Sequence, residues 1–260
     1  MTDICIDRLS VERGSKRVID ELSLRIAAGE RVAIIGPNGA GKTTLFRAIL
    51  GLEAASSGSV TLDSVPTLQL TPLERAAKIA WLPQQSLVDE PITALELVLA
   101  ARYRMKESEA IANSAALRAL ESVGAHDWAN RAVTRLSGGE RQRVALAALF
   151  AQEASALLLD EPANHLDPAQ QLSVWRLLSR VAKGSTILVV THDINLVPLL
   201  GDISRTRIVA LAGGRVAFDT VANDPSMADR LSDLYCTRMH VFTRERTQVI
   251  VPQLDGESNS

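Results

Sequence analysis

The residues Gly36-Pro37-Asn38-Gly39-Ala40-Gly41-Lys42-Thr43 constrain this chain more than any others. Their glycines let the backbone curl through conformations closed to other residues. The segment before them, from Val32, is short, β-rich and apolar on both faces, as a strand covered on both sides must be. The segment after them, Lys42 to Leu50, has helical spacing and stops at Gly51, a good C-terminal cap. Two more runs of the first kind follow, from Ala156 and from Thr186, and a helical pattern from Gln170 to Ala182 lies between them. Buried strands alternating with helices predict a parallel α/β core.

A glycine-rich turn between a buried strand and a helix, ending in Lys-Thr, satisfies the P-loop pattern. Successive N–H groups then point inward at phosphate oxygens, and the helix start adds partial positive charge. Lys42 is placed to bridge the β- and γ-phosphates. Thr43 offers a hydroxyl to Mg²⁺ and Thr44 a further donor to phosphate, so the expected ligand is Mg-ATP. Without a ligand the same residues are only a glycine-rich turn, and the loop alone does not separate kinase, GTPase and motor.

Around this core, the start ICIDRLSV alternates like a half-exposed strand, and SLRI before Gly29 reads as a second, giving an antiparallel edge sheet. From Thr93 to Ala132 the chain is Ala- and Leu-rich with helical spacing, the pattern of an all-helical insert. RIVALAGGRVAFDT reads as a hairpin turning at Gly213-Gly214, and Asp224-Pro225 should open one more helix. The expected organisation is one unit over 1–255, with 1–87 and 137–255 as core, 88–136 as helical subdomain and 256–260 as a loose tail.

Composition narrows the function. The 260 residues carry a net charge of −2, which gives no global footprint for nucleic acid. Arg141 and Arg143 read as a solvated helix face. The longest stretch free of polar residues, Val144 to Ala151, is far short of a membrane span, and the first residues lack a secretory pattern, so a cytoplasmic protein is expected. Cys5 and Cys236 lack metal-ligand spacing and read as buried or inert thiols.

Further on stand Leu136-Ser137-Gly138-Gly139-Glu140 and then Leu157-Leu158-Leu159-Asp160-Glu161-Pro162. Ser137 with Gly138 and Gly139 marks a helix start and, read alone, is a capped helix with a glycine turn. Asp160 ends a buried strand, where a carboxylate belongs only with a cation or a polar network. With GPNGAGKTT, these segments resemble the signature, Walker B and Walker A motifs of ABC-type ATPases, in the order that family has them and over nearly the whole chain.

That resemblance implies an α/β fold: a P-loop NTPase (RecA-like) core with a mainly parallel sheet, an antiparallel β-subdomain and an inserted all-helical subdomain. It implies that Asp160 holds Mg²⁺, directly or through water, and that Glu161 is the general base for the attacking water. His192 matches the switch histidine at the γ-phosphate. Gln84 matches the glutamine that reaches toward Mg²⁺ and the water. Asp167 matches the aspartate beside the partner's Walker A loop, and His165 next to it reads as a loop residue. Ser137, Gly138 and Gly139 would close over ATP held by a second copy.

The sequence departs from the family at Arg13, which stands where most relatives place an adenine-stacking ring; a guanidinium plane is an alternative platform, and a solvated turn arginine is the plain one. Ala163 replaces a usual threonine. The resemblance further implies an ATP-hydrolysing subunit of a transporter, peripheral on the cytoplasmic face of a membrane through integral permease subunits, and indirectly served by a substrate-binding protein. The wording LERAAKIAWLPQ is most similar to ATPases of metal-chelate importers for siderophores, haem or cobalamin. A soluble ABC ATPase without a membrane partner, or an exporter ATPase, is the alternative.

Overall fold

The computed structural model describes residues 1–84, 91–181, 184–244 and 247–253. Two sheets meet around one helix. The first strands, β1 (Ile4–Arg13) and β2 (Lys16–Ile26), form an antiparallel hairpin; β4 (Ser57–Leu62) and the short β5 (Val65–Pro66) complete a four-stranded sheet in the order β2-β1-β4-β5. Alternation in β1 fails at Leu9, Ser10 and Val11, all buried, because register shifts against β2 re-aim the side chains there.

The second sheet is built from β3 (Arg31–Ile35), β6 (Ile79–Leu82), β7 (Ala156–Asp160), β8 (Thr186–Val190), β9 (Thr206–Ala212) and β10 (Arg215–Val221). Its order is β10-β9-β3-β8-β7-β6, parallel except for the β9–β10 hairpin, which turns at Gly213-Gly214 as expected. The strands predicted from Val32, Ala156 and Thr186 are its centre.

Neighbouring residues of these strands serve opposite cores. Val32, Ile34, Leu158 and Leu188 pack with α1 (Lys42–Ile49) and the antiparallel sheet. Ala33, Ile35, Leu159 and Val189 pack under α5 (Gly138–Ala151) and α6 (Pro168–Val181), together with α3 (Ala94–Ala100) and α4 (Glu109–Ser122) of the helical insert. Burial on both faces is why these strands read as unbroken apolar runs.

Several elements escaped the sequence pattern. The helix α2 (Pro72–Lys78) has no buried residue, and β6 is only four residues long. After α7 (Met227–Tyr235), β11 (Met239–Arg244) and β12 (Thr247–Pro252) form a separate hairpin. That last helix begins two residues later than the Asp-Pro pair suggests, because Asp224 accepts from the Ser226 N–H in a turn of its own. The predicted end at Ala182 and the tail 256–260 lie outside the described residues.

Two surface readings need correction. Arg143 is not a solvated residue: its guanidinium donates to the Val123 carbonyl at 3.1 Å and to Ser173 Oγ at 2.9 Å, joining α5 to the end of α4 and to α6. Cys236 is exposed rather than buried, in a left-handed conformation at the end of α7, and Cys5 is half-buried; both are free thiols.

Candidate active site

The site lies where three adjacent parallel strands end. The β3–β8 and β7–β8 pairings bring the carboxyl ends of β3, β7 and β8 together. Ligands of open α/β sheets collect at such edges. The glycine-rich loop leaves β3 there, Asp160 and Glu161 leave β7, and His192 leaves β8.

Gly36 has φ +142° and would drive a Cβ to 2.2 Å from the Leu211 carbonyl oxygen; Gly41 has φ +98° and would meet Ile19 at 2.7 Å. No side chain fits at either place, so the loop is pressed onto β9 and β2. The helices α2, α3 and α5 all start with a Thr or Ser closed by a Glu three residues on. Helix α1 starts at Gly41 with no side-chain cap and no acidic residue in its first turn. Its opening N–H groups are thus left for an external acceptor, and an anion suits them.

Lys42 is buried and folds back, donating from Nζ to the carbonyls of Gly36 at 2.7 Å and Pro37 at 3.1 Å. Burial pushes its ammonium below the usual range, against the pull of Glu161 and Asp160. Thr43 donates from Oγ1 to Asp160 Oδ2 at 2.9 Å. The other oxygen of Asp160, Oδ1, is buried without a partner, and burial pushes the carboxyl above its ordinary range. An orphaned carboxylate oxygen beside a threonine hydroxyl fits Mg²⁺, which binds through one or two protein oxygens, substrate phosphates and water. Thr44, also buried, lies one residue further along α1.

Three polar groups converge on Glu161, two of them amides that donate to it. His192 Nε2 lies 2.7 Å from Oε1, while Gln84 Nε2 at 2.9 Å and Asn164 Nδ2 at 2.5 Å both reach Oε2. Glu161 itself sits at φ +52°, a strained conformation for a residue with a side chain. The expectations thus come together in two clusters, Lys42-Thr43-Asp160 and Gln84-Glu161-His192. Gln84 joins the second cluster, its amide on Glu161. Asn164 is the residue that sequence reading passed over; its place in Asn-His-Leu-Asp was the only signal.

Ser137 caps α5 as expected, its Oγ accepting from the Glu140 N–H at 3.3 Å while Glu140 accepts from its own N–H at 2.8 Å. Ser137 and Gly138 are exposed, and Gly139 lies against Gln170 of α6. Among the described residues, no hydrogen bond joins Ser137, Gly138 or Gly139 to Gly36–Thr44. Asp167 is exposed and caps α6 by accepting from the Gln170 N–H at 2.9 Å. Asn38 and Gly39 are exposed and Ala40 is buried.

Arg13, at the end of β1, forms a fork with Glu53: Nε to Oε1 at 3.1 Å and Nη2 to Oε2 at 2.7 Å. Arg47 of α1 adds a third bond to Glu53 at 2.9 Å, and together the arginines hold that carboxyl near 2. Arg13 is therefore not a loose turn residue; its edge is fixed and half of its side chain stays exposed. On the other side of Glu161 and His192, α7 and the β11–β12 hairpin close a cleft of about 710 Å³, which Trp175, Tyr235 and Ile250 also line.

The ABC transporter family model matches residues 19–164. The hemin import ATP-binding protein HmuV of Rhodococcus jostii is 40% identical over 240 residues, covering 90% of this chain and 78% of that protein. A dimeric post-hydrolysis structure of the ATP-binding cassette MJ0796, bound to ADP and Pi, superposes with a TM-score of 0.74 at 30% identity, over 85% of this chain and 99% of that one. A chain of an inward-facing metal-chelate type ABC transporter shares the fold, with a TM-score of 0.82 at 22% identity, over 98% of this chain and 99% of that one.

Proposed function

Because this chain belongs to the ABC transporter family, as a subunit that binds and hydrolyses ATP, we propose that it powers the import of a metal chelate, such as haem, iron-siderophore or cobalamin, through a membrane permease. The observation that carries the hydrolytic part is the pairing of Glu161 with Gln84 and His192 at the strand edge where the phosphate loop begins. The relative that imports hemin carries the choice of cargo.

The residues divide the work. The N–H groups of Asn38 to Thr44 and the Lys42 ammonium bind the triphosphate, and Lys42 exchanges its two loop carbonyls for phosphate oxygens. Asp160 and Thr43 hold Mg²⁺, which neutralises phosphate charge when bound. Glu161 accepts the proton of the attacking water; Gln84 and His192 orient the carboxylate and the γ-phosphate. Arg13 offers its exposed guanidinium face to adenine, its edge being held by Glu53.

The signature residues Ser137 and Gly138, with Asp167, are exposed, Gly139 is half-buried beside them, and all stand apart from this chain's own loop, which supports a second copy bringing them to the nucleotide. ATP then favours the closed pair and hydrolysis releases it. Residues 1–87 and 137–255 act as the core and 88–136 as a helical subdomain; the boundaries at 87 and 255 fall outside the described residues. Between core and subdomain a groove lined by Leu52, Pro72, Trp81 and Tyr103 suits an apolar helix of the permease. Leu68, Leu73 and Tyr103 are 71%, 52% and 66% exposed, more apolar surface than an isolated chain needs to show. Among the described residues no helix is long and apolar enough to cross a membrane, so attachment at the cytoplasmic face comes through that partner.

The test is reconstitution with the permease in lipid vesicles. ATP hydrolysis should rise when a binding protein loaded with hemin or another metal chelate is added, compared with the same protein unloaded. Stimulation from the opposite side by an exported compound, or copurification with soluble partners alone, would overturn the import reading.

A further inference from the structure

The Glu161 carboxylate is not positioned by Gln84 and His192 alone. Its shortest side-chain contact is with Asn164, at 2.5 Å from Nδ2 to Oε2. The backbone is shaped to make this contact. Glu161 and His165 both adopt positive φ, +52° and +62°, and between them the Asn164 N–H donates to the Glu161 carbonyl at 3.1 Å. The Asn164 side-chain oxygen is also occupied, accepting from the His165 N–H at 2.9 Å, which fixes the amide with its nitrogen toward Glu161. Gln142 of α5 anchors the same turn by donating to the Pro162 carbonyl. Backbone strain of this kind, with both ends of one side chain engaged, clusters at functional sites.

We propose that Asn164 is a positioning residue for hydrolysis: its side-chain amide fixes the rotamer of the Glu161 carboxylate, leaving the remaining lone pairs to meet water. A carboxylate accepts at about four lone-pair sites; the Gln84 and Asn164 amides both donate to Oε2, while His192 Nε2 stands beside Oε1. Gln84 and His192 arrive from the ends of β6 and β8, at the two sheet strands that flank β7. Asn164 holds the carboxylate from its own turn and therefore keeps it in place whatever the flanking segments do. It binds neither nucleotide nor Mg²⁺, so its effect falls on kcat and not on KM.

This inference rests on Glu161 acting as base, and the experiment separates the two. Glu161→Gln, Asn164→Ala and Asn164→Asp are compared with the unchanged chain for kcat, for the KM of ATP, and for the protein concentration giving half-maximal specific activity. Asn164→Ala should lower kcat about tenfold, with KM and the half-maximal concentration within twofold. Asn164→Asp has the same shape but sets a like charge against Glu161, so it should fall below Asn164→Ala. A residue that only shapes the turn would treat Ala and Asp alike, and one needed for pairing would raise the half-maximal concentration; either result overturns the proposal. Unchanged kcat in both Asn164 variants, with Glu161→Gln inactive, overturns it while leaving Glu161 as base. Full turnover by Glu161→Gln would remove the base and this inference with it. Should Asn164→Ala fail to fold, the near-isosteric Asn164→Asp carries the test through its loss of kcat at constant KM.

Discussion

His192 Nε2 stands 2.7 Å from Glu161 Oε1, although the two residues leave different strands. The contact follows from sheet register: Asp160 of β7 lies opposite Val190 of β8, so the residues after each emerge side by side. The Glu161 N–H donates to the Val190 carbonyl at 3.0 Å and prolongs the ladder by one bond before the chain turns away. One sheet edge thereby gathers the candidate metal holder, base and switch, with the phosphate loop on the next strand.

Glu161→Gln keeps the shape of the side chain and removes its basicity. Loss of a general base lowers turnover by about 10²–10⁴-fold, and ATP binding should persist. Phosphate release together with light scattering should show a slow enzyme trapped as a pair; normal turnover would take Glu161 out of its role.

Asp160→Asn replaces a buried carboxylate whose Oδ1 has no partner in this chain. Melting curves with ATP plus Mg²⁺ should exceed those with ATP plus chelator for the unchanged protein, because a ligand that binds only the folded state stabilises it. The variant should lose most of that Mg²⁺-dependent increment. An equal increment in both proteins would place the metal elsewhere.

Arg13→Ala should weaken ATP about two- to fivefold by calorimetry, the value of an exposed cation–π contact of about 0.5–1 kcal/mol. Unchanged affinity would return Arg13 to a purely structural pairing with Glu53.

Glu53 gives a pH dependence with a definite sign. Hydrogen bonds from Arg13 and then Arg47 hold its carboxyl down near 2 from the ordinary 4.5. A lowered value in the folded state means stability that is present above about pH 4.5 and lost as pH falls toward 2. Both arginines are partly exposed, which limits the effect to on the order of 1 kcal/mol, or about 2–4 °C in melting temperature. Glu53→Gln should melt lower than the unchanged chain near neutral pH, and the gap should narrow between pH 4.5 and pH 2. A gap independent of pH would mean that packing, not charge, sets the difference.

The parts of the fold legible in the sequence are those where one physical demand dominates. Strands β3, β7 and β8 are buried on both faces and so are apolar except at one end of each, where Arg31, Asp160 and Thr186 stand. Gly36 and Gly41 lie where no Cβ fits. What stayed hidden depends on tertiary placement: β6 is too short for a period, α2 buries no residue fully, and β11 faces solvent along most of its length. In the site, Lys42, Asp160, Glu161 and His192 stood out through motif residues. Asn164 did not, because its meaning comes from positive φ at Glu161 and His165, which no pattern of side chains announces. Arg143 misled for a related reason: a charged residue beside another charged residue looks solvated until its carbonyl and hydroxyl partners are in place.

The central claim is that each nucleotide lies between two copies, the phosphate loop of one facing Ser137 of the other. The most direct measurement mixes two inactive variants, Lys42→Ala, which loses its own phosphate loop, and Ser137→Arg, which blocks its signature. A mixed pair contains one intact composite site, formed by the loop of the Ser137→Arg copy and the signature of the Lys42→Ala copy. ATP hydrolysis should therefore reappear on mixing and peak near equal proportions. Silence at every ratio, or full turnover by a single copy independent of protein concentration, would contradict the shared site.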